Sequence, residues 1–282
     1  MKKALLIALL VGVSAVSAGT VGGGVAIALV RAANPVPGRE APSPEVTVAS
    51  AALGEPVGLE VRLPLEYGED PARRFPVLWV TDHREHLDHA AHTVQVLSTV
   101  GIGEPMIVVA VPPSSPGRAF DFIPGGMGDN GGGAARFLSF LVDEARPALD
   151  AEYRTTDRQL LFGHSLGGLF VTWALTQRPD AYEGWIASSP SFWVGGGAIE
   201  SSLGAYFGGR PASVPFYFTS LGSQEGNQMS RYFERVGALV DAEAGPGSRW
   251  ARELTPFADH GSNPRLSLPA ALRAFWAAVP PA

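Results

Sequence analysis

The stretch QLLFGHSLGGLF, residues Gln159–Phe170, decides the fold. It starts as an apolar run of the kind that forms a strand buried on both faces, and it continues as a helix-like sequence. At the junction lies a G-x-S-x-G pattern centred on Ser165. Glycines two positions either side relieve crowding in a sharp turn and let the serine hydroxyl project. We therefore predict a nucleophilic serine, with a plain strand-to-helix turn as the alternative in a chain with 34 glycines.

Strands and helices alternate in both directions from this stretch. The strand-like runs are Val46–Ala49, Val57–Leu63, Pro76–Val80, Met106–Val111, Gln159–Gly163, Trp185–Ser189, Pro215–Ser220 and Arg249–Leu254. Helical spacing of apolar residues appears in Glu85–Val100, Ala135–Asp150, Leu166–Gln177 and Ser267–Ala278. This alternation predicts a mostly parallel central sheet with helices on both faces, a three-layer α/β sandwich. We expect one such domain over residues 45–282.

The first 44 residues have the character of a targeting segment and a linker. Residues 1–31 have lysines at positions 2 and 3, stay uncharged from there to Arg31, and carry Val16 and Ala18 at the spacing that signal peptidase favours. About 20 apolar residues suffice to cross a bilayer, so a retained membrane anchor explains the stretch equally well. Residues 32–44 are rich in proline and predict an extended linker. Both interpretations place the domain outside the cytoplasm: periplasmic, anchored to the inner membrane, or secreted.

Composition excludes several classes of function. The net charge is −6 and the arginines are scattered, which leaves no basic face for nucleic acid. The chain has no cysteine, so disulfides, thiolate metal sites and a cysteine nucleophile are all excluded. No feature of the sequence indicates an oligomeric state.

A nucleophilic serine needs a base, and His260 is the candidate. It lies in a loop between the last predicted strand and the last predicted helix, which fits the chain order nucleophile, acid, histidine. The acid should follow the strand Pro215–Ser220, and Glu225 is the first candidate there. Asp241 and Asp259 are alternatives, although Asp241 falls inside a helical segment and Asp259 directly precedes the histidine.

A histidine cluster supports a competing hypothesis, a metal-dependent hydrolase. His83, His86, His89 and His92 follow one another at a spacing of three. Strong helical zinc signatures place histidines four apart with a glutamate between them. A spacing of three drifts by about 60° around a helix at each step. The cluster is therefore the weaker candidate for a catalytic centre.

Several ordered motifs make the chain resemble the esterase branch of the α/β-hydrolases, which includes esterase-D-like enzymes and bacterial trilactone siderophore esterases. The motifs are PVLWVTD (Pro76–Asp82), RAFDFIP (Arg118–Pro124), GHSLGGLF (Gly163–Phe170), SSPSFW (Ser188–Trp193) and DHGSNPRLSL (Asp259–Leu268). The resemblance implies the α/β-hydrolase fold, Ser165 as nucleophile and His260 as its base. It also implies an oxyanion hole built from the backbone N–H of Leu166 and a backbone N–H at His83, just after the PVLWVT strand.

Two further residues are candidates for contact with substrate. Arg118 would hold an anionic or catecholate group, or would instead pair with Asp121. Trp193 would line the acyl or aryl pocket, or would instead pack in the core.

Together these features favour an exported serine esterase that acts on a small-molecule ester through an acyl-enzyme. A siderophore ester is a candidate substrate, and no metal or organic cofactor is required. An acyltransferase that uses the same acyl-enzyme is an open alternative. A non-catalytic binding protein on the same fold is a weaker one.

Overall fold

The computed structural model describes residues 45–82, 84–209, 215–244 and 249–281, and an eight-stranded sheet forms its centre. The strands are β1 (Glu45–Ala49), β2 (Pro56–Arg62), β3 (Phe75–Thr81), β4 (Ile107–Val111), β5 (Thr155–His164), β6 (Gly184–Ser188), β7 (Phe216–Gly222) and β8 (Trp250–Thr255). Their order in space is β1-β2-β4-β3-β5-β6-β7-β8. β1 and β2 pair antiparallel, β2 and β4 also pair antiparallel, and all remaining pairs are parallel.

Helices cover both faces of this sheet. They are α1 (Arg84–Thr99), α2 (Arg118–Phe122), α3 (Ala134–Ser139), α4 (Arg146–Glu152), α5 (Leu166–Gln177), α6 (Ile199–Gly208), α7 (Asn227–Glu243) and α8 (Asn263–Ala278). Side chains that alternate along β3 enter two different cores, because successive residues of a strand point to opposite faces. Leu78 and Val80 join the core under α1 and α8, whereas Val77 and Trp79 join the core under α3, α4 and α5. The α/β-hydrolase architecture expected from the sequence is confirmed.

The long helix expected over Ala135–Asp150 is instead interrupted. A π-helical segment, Phe140–Ala145, separates α3 from α4. Pro147 lies at the start of α4, where it has no N–H to donate to the carbonyl of Asp143 one turn earlier. A proline at this point disfavours regular i→i−4 bonding, so the widened turn has a local cause in the sequence.

The described residues belong to one compact unit, Pro42–Ala282. Within the ranges that the structure describes, no helix is both long enough and apolar enough to cross a bilayer. The targeting segment predicted for residues 1–31 and the linker predicted for residues 32–44 lie outside those ranges and stay predictions.

A buried hydrogen bond joins the two central strands, β3 and β5. The indole Nε1 of Trp79 on β3 donates to the amide Oε1 of Gln159 on β5 at 2.6 Å, and both side chains are fully buried. Gln159→Leu would leave the indole N–H without an acceptor, which costs about 1–3 kcal/mol of unfolding free energy. Urea unfolding measures this loss.

The control is the same change in a Trp79→Phe background, where no N–H needs an acceptor. We expect Gln159→Leu to cost at least about 1 kcal/mol less in that background. An equal loss of unfolding free energy in the two backgrounds would show that the hydrogen bond between Trp79 and Gln159 does not stabilise the fold.

Candidate active site

Ser165 occupies the single-residue turn between β5 and α5, in a backbone conformation that a side chain rarely adopts. Its φ is 59° and its ψ is −116°. Three backbone hydrogen bonds hold it there. Its N–H donates to the carbonyl of Ser188, and its carbonyl accepts from the N–H groups of Leu169 and Ser191, all at 3.0 Å. A non-glycine residue at such a φ is strained, and strain of this kind is typical of active sites.

Both glycines of the G-x-S-x-G pattern are required by close packing. A Cβ at Gly163 would collide with the carbonyl oxygen of Gly167. A Cβ at Gly167 would lie 2.5 Å from Thr81 Oγ1 and 2.8 Å from Asp82 Oδ2, at the end of β3. The two glycines therefore allow the turn to close on itself and to lie against the neighbouring strand.

His260 and Glu225 meet at the same end of the sheet. The Nδ1 of His260 lies 2.8 Å from Oε2 of Glu225. The other carboxylate oxygen, Oε1, accepts from the hydroxyl of Ser189 at 2.5 Å and from the N–H of Gly222 at 2.8 Å. The Glu225 side chain is 1% exposed and that of His260 is 46% exposed. A buried carboxylate thus orients a half-exposed imidazole.

The two alternative acids have other partners. Asp241 accepts from the indole of Trp250 and pairs with Arg252. Asp259 accepts from the hydroxyl of Ser262 at 2.6 Å and from its N–H at 2.8 Å, and these bonds hold the pKa of Asp259 below its usual range. Of the three sequence candidates, the structure brings Glu225 alone against the imidazole.

Ser165, Glu225 and His260 line one cavity of about 380 Å³. The Ser165 hydroxyl bonds to Ser191 Oγ at 3.2 Å. Within the described part of the chain, no hydrogen bond joins that hydroxyl to His260. Nucleophile–base contacts commonly tighten when substrate binds, so this geometry is compatible with catalysis.

The first oxyanion donor predicted from the sequence, the N–H of Leu166, lies at the start of a helix, and its role stays a prediction. Leu166 is the first residue of α5, and a helix's first N–H groups have no acceptor within the helix. The positive end of the helix macrodipole also favours negative charge at this point. The second predicted donor, at His83, lies outside the described residues.

Arg118 forms an ion pair, but not with Asp121. Its Nε lies 2.5 Å from Asp82 Oδ1, one terminal nitrogen lies 3.0 Å from Oδ2, and the same nitrogen donates to the carbonyl of His164 at 3.3 Å. Asp121 instead accepts from the N–H and hydroxyl of Ser114. Pairing with Asp121, one of the two alternatives for Arg118, is wrong, because Asp82 at the end of β3 pairs with Arg118 instead. Arg118 binds Asp82 directly beside the serine turn, and contact with substrate stays a prediction.

Trp193 lies at the cavity rather than in the core. Its side chain is 40% exposed and lines the cavity together with Met229 and Ser191. An aromatic and a thioether side chain thus provide apolar surface in the cavity that Glu225 and His260 also line.

The histidine cluster does not converge on one point. His86 is buried edge-on against the rings of Phe162 and His164, whereas His89 contacts Thr93 Oγ1. Within the described ranges, no group of three or more potential ligands is placed to hold a metal ion. His83 lies outside those ranges.

His164 connects the serine turn to the loop that carries His260. Its Nε2 lies 2.8 Å from the carbonyl oxygen of His260, so Nε2 carries the proton because a carbonyl can only accept. The two rings pack 4.6 Å apart between centroids. Burial, followed by the charges of His260 and His86, lowers the pKa of His164 to about 3. This imidazole is therefore neutral at ordinary pH.

The family follows from a match that spans the serine turn. Residues 50–215, more than half of the chain, match the model of the family described as "Putative esterase". The chain belongs to this esterase family.

Curated relatives of this esterase-family protein match over shorter segments. One is the ferri-bacillibactin esterase BesA of Bacillus subtilis, 46% identical over 61 residues that make up 21% of either chain. Another is the siderophore triacetylfusarinine C esterase of Aspergillus fumigatus, 45% identical over 64 residues, or 22% of either chain. The matched segments thus span little more than a fifth of these relatives' length.

Solved structures match over most of the chain. An IroE-like serine hydrolase from Shewanella oneidensis has a TM-score of 0.74 at 21% identity, over 82% of this chain and 78% of the other. The BES protein from Bacillus cereus has a TM-score of 0.74 at 22% identity, over 84% of this chain and 95% of the other. Because the identities are this low, the structural similarity establishes only the fold of this chain.

Reasoning from the sequence missed three polar residues of this site. Ser189 bonds to Glu225, Ser191 bonds to Ser165, and His164 bonds to the carbonyl of His260. The run of serines after the buried strand β6 was an available signal, because polar side chains that follow a buried parallel strand lie at the edge where active sites form.

The neutral His164 should make the protein less stable in acid. In the unfolded chain a histidine binds a proton below about pH 6.5, whereas in the folded chain His164 does so only near pH 3. The unfolded state binds more protons in this window, so stability is complete above pH 6.5 and falls as the pH drops toward 3. Between pH 6.5 and pH 4.5 the loss should be about 2 kcal/mol, measured by urea unfolding.

His164→Gln is the matched variant, because its amide still donates to the His260 carbonyl but does not titrate. We expect its stability to depend less on pH over the same window. An unchanged pH dependence would show that other groups cause the acid sensitivity.

Proposed function

We propose that the protein is an exported serine esterase that hydrolyses carboxylic esters through an acyl-enzyme, with siderophore esters as its first candidate substrates. The observation that carries this proposal is the buried Glu225 carboxylate bonded to His260 beside the strained Ser165 turn. Membership in the esterase family supports ester hydrolysis as the reaction.

The geometry suggests how each residue would act. Because Nδ1 of His260 donates to Glu225, its Nε2 presents a lone pair that can take the Ser165 proton. Ser165 Oγ attacks the ester carbonyl carbon, and the N–H of Leu166 stabilises the resulting oxyanion. His260 then gives the proton to the departing alcohol, which leaves an acyl group on Ser165. Water, activated by the same imidazole, releases the acid and restores the serine.

The substrate class rests on relatives and on the cavity. The relatives named above are esterases of ferri-bacillibactin and of triacetylfusarinine C. The cavity offers Trp193 and Met229 as an apolar wall beside the nucleophile. Aromatic and apolar acyl groups fit such a wall better than small charged ones do.

Replacement of the nucleophile is the first test. Ser165→Ala should lower kcat for p-nitrophenyl butyrate by about 10⁴-fold or more, because no other group in the proposal attacks the carbonyl. Labelling by a fluorophosphonate probe should be lost in parallel. Ser191→Ala removes a hydroxyl 3.2 Å away and should cost less than about tenfold. Retention of activity by Ser165→Ala would refute the assignment.

A substrate panel tests the finer part of the proposal. Trilactone and hydroxamate siderophore esters, with and without iron, should show higher kcat/KM values than simple acyl and feruloyl esters. A preference for simple esters would leave a serine esterase but would contradict the siderophore class. Transfer of the acyl group to an added alcohol in preference to water would indicate an acyltransferase.

Export is tested on the N-terminal residues themselves. Residues 1–44 fused to a reporter that is active only outside the cytoplasm should give activity, and an inactive fusion would contradict export. The mass of the mature protein then distinguishes a cleaved signal peptide from a retained membrane anchor. Loss of the first 18 residues indicates a cleaved signal peptide after Ala18, whereas the full-length mass indicates a retained anchor.

A further inference from the structure

A cluster of buried hydroxyl groups lies behind the acid, with Asn263 at its centre. The amide Nδ2 of Asn263 lies 2.8 Å from Ser189 Oγ, 3.1 Å from Ser188 Oγ and 3.2 Å from Ser220 Oγ. All four side chains are fully buried. The serines come from the ends of β6 and β7, and Asn263 is the first residue of α8.

The direction of each hydrogen bond near the acid follows from the number of protons available. Ser189 has one hydroxyl proton, and it goes to Glu225 Oε1 because an ionised carboxylate can only accept. Ser189 Oγ therefore faces Asn263 with a lone pair and requires a donor. The NH₂ group of Asn263 provides that donor, which also fixes the orientation of the amide.

The chain of donors thus runs from Asn263 through Ser189 to Glu225. On the other side of the carboxylate, His260 donates to Oε2. Ser189 itself is strained, with a φ of 44°. Its backbone N–H donates to the carbonyl of Ser220 at 2.7 Å, which holds the residue in this conformation. The strain brings its hydroxyl between the amide and the carboxylate.

We propose that Asn263 is a positioning residue for catalysis, which acts through the Ser189 hydroxyl to hold the Glu225 carboxylate in the orientation that His260 requires. The inference rests on the proposed function, because it assumes that Glu225 orients the base. Asn263 and His260 lie three residues apart on one segment, and the N–H of Asn263 donates to the carbonyl of Asp259. The same short segment therefore carries the His260 imidazole and, through Asn263 and Ser189, also positions the Glu225 carboxylate.

The test compares Asn263→Ala and Ser189→Ala with the wild-type protein. Either change removes a link in the donor chain, and a misplaced carboxylate reorients the imidazole. We expect kcat for p-nitrophenyl butyrate and the rate of fluorophosphonate labelling to fall about tenfold or more, with KM nearly unchanged. In Ser189→Ala the amide of Asn263 still has the hydroxyls of Ser188 and Ser220 as acceptors. This variant therefore provides the test if Asn263→Ala does not fold.

Ser267→Ala is the matched control. Ser267 belongs to the same helix and is equally buried, but it joins the cluster through Ser188 Oγ and not through Ser189. It should lower thermal stability by a similar amount while kcat stays within about twofold of wild type. Equal losses of kcat in Ser267→Ala and Asn263→Ala would overturn the proposal, because both would then reflect general loosening of the cluster.

A Glu225→Ala background shows whether the effect passes through the acid. In that background Asn263→Ala and Ser189→Ala should cause no further loss of kcat. The same fold-loss in both backgrounds would overturn the inference. A wild-type protein that neither hydrolyses esters nor reacts with the probe would refute the proposed function. An active wild-type protein with unaffected Ser189→Ala and Asn263→Ala variants would refute this inference alone.

Discussion

The backbone of Ser165 is the constraint on which the rest of the site depends. A strand must turn into a helix at one residue, which forces a positive φ and a close approach of two backbone segments. The glycines before and after the serine make this approach sterically allowed. The Ser165 hydroxyl lines a cavity, and α5 begins at the next residue, Leu166. The other groups proposed for catalysis have only to reach this point.

The groups that reach it come from the ends of neighbouring parallel strands. Glu225 follows β7, His260 follows β8, and the carbonyl that anchors the Ser165 N–H belongs to β6. Parallel strands end at one edge of the sheet, so residues distant in sequence meet there. Hydrogen bonds then set the orientation of each side chain, and the buried carboxylate has a donor at both of its oxygens.

Much of this arrangement could be predicted from the sequence. The eight strands were all expected. Four of them, β3, β4, β6 and β7, are buried along their whole length and read as continuous apolar runs, whereas β2 alternates between buried and partly exposed residues. Ser165, His260 and Glu225 were chosen from their positions relative to those strands, and the structure brings the last two together. Chain order carries this information because it reflects the order of strand ends along one edge of the sheet.

The parts that could not be predicted depend on contacts between distant residues. The pair Arg118–Asp82 spans 36 positions, and nothing local distinguishes it from a pair with Asp121. The roles of Ser189 and Asn263 depend on which hydroxyls face each other across two strands and a helix. Helix α6 was missed although Ile199, Leu203 and Phe207 recur at helical spacing, because serines and glycines between them weaken the local preference for a helix.

The bond between His164 and the carbonyl of His260 joins residues 96 positions apart, which has a consequence for the order of folding. A chain is synthesised from its N-terminus, so β5 and the serine turn are available long before β8 and α8 are complete. An intermediate without those last elements would contain Ser165 and His164 but neither the His260 imidazole nor the His260 carbonyl that His164 binds. If Ser165 and His260 act as proposed, such an intermediate could not deprotonate the serine, so the growing chain would have no esterase activity until its final helix docks.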